Sequence, residues 1–168
     1  AEDSGQMSSL RLAAPQDGTD EARGITEQAI MKLTSLPVVF PDEEIGKGAK
    51  WSVESRVAGE STLLQTATYT LDEQDGDVVK LSVSVKQRPS LGALSFEGQA
   101  AGTELADKEL KVMDSTTDSS GQLTVDLSQP LPTDGEVAID TKITYGADSS
   151  DLRVVQSTTT DLKFSPAK

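Results

Sequence analysis

Residues 69–85 read YTLDEQDGDVVKLSVSV. Val79, Leu81, Val83 and Val85 alternate with Lys80, Ser82 and Ser84, and Lys86 continues the polar parity. A strand with one buried and one wet face requires this period of two, because successive side chains leave a pleated backbone on opposite sides. Asp75-Gly76-Asp77 separates that run from Leu63, Ala67, Tyr69 and Leu71, which also share a parity. Asp-Gly between two alternating runs is a hairpin signal. Strands joined so tightly pair antiparallel, since a parallel pair needs a long crossover.

The same period extends both ways. Upstream, Trp51, Val53, Ser55 and Val57 oppose Lys50, Ser52, Glu54 and Arg56, with Ala58-Gly59-Glu60-Ser61 as the turn into the next run. Downstream, Pro89 to Gly102 is a Gly-punctuated loop carrying Leu91, Leu94 and Phe96, which reads as an apolar flap, a lid or an interaction site. Three further strands are expected at Glu109 to Asp114, Gln122 to Ser128 and Glu136 to Tyr145. Asp118-Ser119-Ser120-Gly121 and Pro132-Thr133-Asp134-Gly135 are the turns between them. In the last strand Leu152, Val154, Gln156, Thr158, Thr160, Leu162 and Phe164 share one face. Gln156, Thr158 and Thr160 then form an inward polar patch that needs a cavity, water or a ligand, unless the strand overruns the sheet and its middle is solvated.

Before Pro41 the pattern differs. Residues 1–19 are small and polar and read as a flexible tail, with only Leu10, Leu12 and Ala14 alternating as a short edge strand. Ala22, Ile25, Ala29, Leu33 and Leu36 recur at helical spacing, which predicts a helix near 25–35 that Pro37 ends. Residues 20–168 thus read as a single β-rich domain. The expected architecture is mainly β (α+β): an antiparallel curved sheet, sandwich or open barrel of about seven strands, with one N-terminal covering helix. Trp51, the only indole, is expected to be a packing centre beneath Ile25, Ala29 and Leu33.

Composition excludes whole classes of chemistry. The chain has 168 residues with 28 Asp or Glu, 15 Lys or Arg and a net charge of -13, so its field repels nucleic acid and anionic lipid surfaces. It has no Cys, His or Asn, which removes thiol chemistry, disulfides, Cys/His zinc sites, imidazole catalysis and Asn-linked glycans. Gly46-Lys47-Gly48-Ala49-Lys50-Trp51 lacks the helix that must follow a phosphate loop, and reads as a tight turn that seats Trp51. The acidic clusters Asp42-Glu43-Glu44, Asp72 to Asp77 and Asp114 to Asp118 lack calcium-loop spacing and read as solvated turns. No Ser-x-x-Lys stands at a helix start, so neither a catalytic pair, a metal nor a cofactor is expected.

The segment LPVVFPDEEIGKGAKWSV, residues 36–53, resembles a recurrent opening in uncharacterised exported proteins and lipoproteins of actinobacteria. There, a Pro-bracketed apolar stretch and an acidic turn precede Gly-x-Gly-Ala-x-Trp and the first strand of a β domain. YTLDEQDGDVVKLSVSV, GQLTVDLSQPLP and RVVQSTTTDLKF are similar to that pattern too, so the likeness spans most of Leu36 to Phe164. The resemblance implies an extracytoplasmic cell-envelope protein, lipid-anchored upstream of Ala1 to the outer face of the plasma membrane. The start AEDSGQMSSL, with neither an initiator Met nor a signal segment, fits a processed exported end or a trimmed fragment. The expected function is non-catalytic: an accessory subunit of a membrane protein complex, with a respiratory assembly as one host by analogy. A second reading is carriage of a lipid or glycolipid under the curved sheet.

Overall fold

The computed structural model describes residues 23–25, 27, 30, 31, 34–57, 62–90, 93–94, 110–148 and 151–166. Helical backbone occurs at 23–25, 27, 30, 31 and 34, and the Thr34 hydroxyl donates back to the carbonyl of Ile30 at 2.9 Å. Seven strands follow: β1 Lys50–Val57, β2 Leu63–Asp75, β3 Val78–Pro89, β4 Ala93–Leu94, β5 Leu110–Asp126, β6 Asp134–Gly146 and β7 Arg153–Phe164. All pairings are antiparallel, in the order β1-β2-β3-β5-β6-β7, with β4 pairing β5 beside that path. The expected mainly β fold with a short N-terminal helix is present. It is a single open sheet: among the described residues neither β1 nor β7 pairs along its outer edge, so no barrel closes.

Alternation sets the two faces. Leu63, Gln65, Ala67, Tyr69 and Leu71 on β2 are buried, as are Val79, Leu81, Val83, Val85 and Gln87 on β3 and Val137 to Tyr145 at odd positions on β6. The intervening residues form a polar outer face. Gly76, the first of two residues linking Asp75 to Val78, has φ +59, the left-handed backbone that a glycine-led hairpin loop requires.

Two expected strands prove to be one. Residues 110–126 run as a continuous 17-residue strand through Asp118-Ser119-Ser120-Gly121, where a turn was expected. Gly121 lies outside the left-handed region and is there for proximity: a Cβ on it would fall 2.6 Å from Val137 Cγ2 and 2.9 Å from the Glu136 carbonyl oxygen. Ser119 is committed elsewhere. Past Val83–Gly121 the β3–β5 ladder stops, and Ser119 Oγ accepts from the Val85 amide (2.7 Å) and donates to its carbonyl (2.9 Å). Thr117 Oγ1 does the same for Gln87, at 3.0 and 3.2 Å. Hydroxyls thus replace the backbone ladder where β3 and β5 diverge. Turn-like composition here serves side-chain bridging and close packing.

The cover on the apolar face also differs from expectation. Ile25 is 64% exposed, and Ala29 and Leu33 lie outside the described residues. The described cover is an extended strap, residues 35–45. Leu36, Val38, Phe40 and Ile45 pack on the core, while alternate carbonyls are held by donors from the sheet. Gln65 Nε2 donates to Ser35 O (2.7 Å), Tyr69 Oη to Pro37 O (2.9 Å) and Trp51 Nε1 to Val39 O (2.7 Å). Pro37 and Pro41 have no amide hydrogen, which keeps the strap from joining the sheet as an ordinary strand. Trp51 is half-buried, 5.5 Å from Phe40 and 5.7 Å from Tyr69 between ring centroids. It packs beneath the strap, and no described contact joins it to Ile25.

Trp51→Ala is expected to cost about 3 kcal/mol, the lower end for large aromatic truncations, because the side chain is only half-buried. Trp51→Phe retains stacking and loses one hydrogen bond, about 1 kcal/mol; urea unfolding of both checks the order. Burial pushes the Tyr69 phenol well above its ordinary value of 10.0. The unfolded chain therefore loses that proton first, so stability holds below pH 10 and falls as pH rises above it. Tyr69→Phe should remove this component from the alkaline unfolding profile while costing about 1–2 kcal/mol at neutral pH, since the Pro37 carbonyl loses its donor.

Candidate functional site

Charge is the commonest chemistry in this chain, and the structure disperses it. Among the described residues no three acidic side chains converge as a metal site would require. Asp72 accepts from Ser82 Oγ (2.6 Å), and Glu73 pairs with Lys80 (2.7 Å) across the exposed hairpin. The Lys80 hydrogen bond holds the Glu73 carboxyl below its usual range, as Lys111 does for Asp148 and Ser128 for Asp126. These are surface interactions of small energetic weight. The Gly46–Ala49 segment is a turn, as expected. Ala49 N donates to Gly46 O at 2.9 Å, and Gly48, with φ +85, occupies the position where such a turn favours glycine.

The buried face contains a polar seam. Gln65 on β2 stands opposite Gln87 on β3, and Thr117 on β5 opposite Thr141 on β6. Gln87 Nε2 donates to Gln65 Oε1 (2.8 Å), and Thr141 Oγ1 donates to Gln87 Oε1 (2.6 Å). Thr117 Oγ1 lies 3.3 Å from Thr141 Oγ1, and Gln65 Nε2 reaches the strap at Ser35. Among the described residues no buried side-chain nitrogen or oxygen lacks a partner. The seam lies between a larger apolar cluster, with Tyr69, Leu81 and Ile139, and a smaller one of Leu63, Leu110, Ile143, Tyr145 and Ala147. Sequence reading missed it. The signal was there: each of the three buried residues is a polar break in an otherwise apolar parity series.

The inward polar patch expected on β7 is different. Gln156 is half-buried and accepts from Tyr145 Oη at 3.3 Å, and Thr160 is half-buried. Thr158 keeps the inner-face parity, opposite Thr141, and is exposed: β7 is an edge strand whose middle is solvated, the second of the two alternatives read from the sequence. Leu94 pairs with Leu110 in the β4–β5 ladder, and Leu91 and Phe96 lie outside the described residues.

A concave feature lies on the polar outer face. An open groove of about 700 Å³ runs across β3, β5, β6 and β7. Its floor is low because the outer-face side chains of Ser82, Ser120 and Ala138 are small, with the backbone of Gly121 and Gly135 between them. Gly135 has φ +117, and a Cβ on it would meet the Gln122 carbonyl oxygen at 2.2 Å, so no larger residue fits. Glu136, Asp161 and Lys163 line it with charges of both signs. Such a groove can seat a polar or extended segment. It lies open on the sheet surface, with hydrogen-bonding and charged side chains among its lining residues, whereas an acyl chain is usually held in an enclosed cavity.

Gln87→Leu should cost about 2–4 kcal/mol, because it strands both the Gln65 carbonyl oxygen and the Thr141 hydroxyl in the core. Gln65→Leu/Gln87→Leu should recover part of that loss. A double-mutant cycle by chemical denaturation checks the coupling.

No curated protein and no solved structure matches the chain. One family model does match, over residues 26–132, from the helical segment through β5 to the residues just before β6. That span is more than half of the chain, which therefore belongs to the family of unknown function DUF6263.

Proposed function

We propose that the chain is a non-catalytic contact domain of the cell envelope, an accessory subunit that binds a protein partner through the outer face of its sheet. One observation carries this reading. The larger apolar cluster is covered by the chain's own strap, while the opposite face keeps an open groove of about 700 Å³ lined by glycine, serine and alanine. A contact surface of this kind suits polar, extended partners better than acyl chains. The envelope location rests on the resemblance of residues 36–53 to exported actinobacterial proteins. The net charge of -13 favours a partner with a basic segment over a bare anionic membrane.

Ser120→Arg and Ala138→Arg each fill the groove from the outer face. Both are expected to change stability by no more than about 0.5 kcal/mol. Cross-linking in native membranes should recover a partner with the wild-type chain and lose it with either variant. Recovery of the wild-type chain free of any other protein would overturn the proposal. So would a lipid retained through native mass spectrometry, which would favour carriage instead.

A further inference from the structure

The two outer edges of the sheet are not alike. β1 is eight residues long, with Lys50, Glu54 and Arg56 spread along it. β7 is twelve residues long, about 40 Å at about 3.3 Å per residue. It pairs with β6 from Gly146↔Arg153 to Gly135↔Phe164 without a bulge or register shift. It contains no proline, and Val154 to Thr160 carry no charge. Sheets usually protect such an edge with bulges, prolines, shortness or charges along it. β7 uses none of these in its middle. Exposed apolar side chains gather at its start: Leu152 is 46% exposed and Val155 53%.

The charges that β7 does carry are arranged in a self-complementary order. Asp151, just ahead of the strand, Arg153, Asp161 and Lys163 are all exposed and share the outer-face parity. A second copy laid antiparallel about a two-fold axis at Ser157 brings Arg153 opposite Asp161 and Asp151 opposite Lys163. Symmetry repeats both pairs, so all eight charges of the two edges meet an opposite sign. The neighbouring registers that keep both cores on one side of the joined sheet lose this match. An axis at Gln156 sets Asp151 against Asp161, and an axis at Thr158 sets Arg153 against Lys163. Like charges directly opposite destabilise strand pairing. On the inner face the Ser157 register places exposed Leu152 opposite Leu162, which is buried.

We infer that β7 is a homodimerisation edge, where two copies join the six-stranded path of each into one continuous sheet with its two-fold axis at Ser157. The interface is isologous, as a two-fold requires, and small, so association is concentration-dependent.

The full chain has no cysteine, so one introduced thiol reports the axis. Opposite residues of an antiparallel pair lie about 4.5–5.5 Å apart between Cα atoms, within disulfide reach. Ser157→Cys should form a covalent dimer on mild oxidation, and Thr159→Cys, opposite residue 155 in this register, should not. By sedimentation, Arg153→Asp and Asp161→Arg should each weaken dimerisation by about tenfold or more, and the double variant should restore it. A wild-type chain that stays monomeric at about 1 mM would overturn the proposal, including the case where the chain's own residues 10–14 pair with β7. Equal cross-linking at 157 and 159 would overturn the register, as would a double variant as weak as the singles.

Discussion

Three side-chain donors make a one-sided sheet into a folded domain. Gln65, Tyr69 and Trp51 take the carbonyls of Ser35, Pro37 and Val39, every second residue of the strap. Between those carbonyls Leu36, Val38 and Phe40 pack into the core. The strap thus has strand-like periodicity without a strand partner. Its backbone acceptors would be costly to bury unpaired, and the sheet supplies the donors from its own inner face. An aromatic-poor chain gains from this arrangement, because Tyr69 and Trp51 provide both buried area and a hydrogen bond.

The seam follows from the same geometry. Gln65 bonds the strap with its amide and offers its carbonyl oxygen to Gln87, whose own carbonyl oxygen takes the Thr141 hydroxyl. This line crosses the sheet at the level where β3 and β5 part, and there Thr117 and Ser119 substitute for the missing ladder. Divergence frees backbone groups, and small hydroxyl side chains are short enough to reach them from the neighbouring strand. Ser and Thr in the middle of β5 are therefore structural. A fully apolar set at these positions would leave the Val85 and Gln87 backbone unsatisfied.

Much of this was legible in the sequence, and the limits have physical causes. The alternation of Val79 to Val85 and the Asp-Gly turn identify the β2–β3 hairpin, because both signals are local. Asp118-Ser119-Ser120-Gly121 misleads, because composition cannot tell a glycine needed for φ from one needed for space. Gly121 answers to Val137, sixteen residues away, and only the β5–β6 register reveals it. The Ile25 stripe has helical spacing, yet the described cover is the strap, so periodicity specified an element and not its partner. Trp51, expected as a packing centre under the helix stripe, is a half-buried residue at the margin of the larger cluster whose ring neighbours are Phe40 and Tyr69. The groove was not legible at all. It arises where small residues on β3, β5 and β6 become neighbours, and nothing in the order of the chain brings them together.

The division of labour between the two faces constrains where function can reside. Most described inner-face positions lie in one of the two apolar clusters or in the seam between them, and buried polar networks of this kind tolerate little change. The outer face has no such obligation. Its residues are held by backbone pairing and by surface side-chain pairs such as Ser82–Asp72 and Thr159–Asp140, so their side chains can vary with little effect on the core. The proposed recognition accordingly uses the outer face and its edges, where the groove ends at β7 with Asp161 and Lys163. Groove and edge share that strand. A partner in the groove and a second copy on the edge would touch neighbouring residues, so occupancy of one surface bears directly on the other.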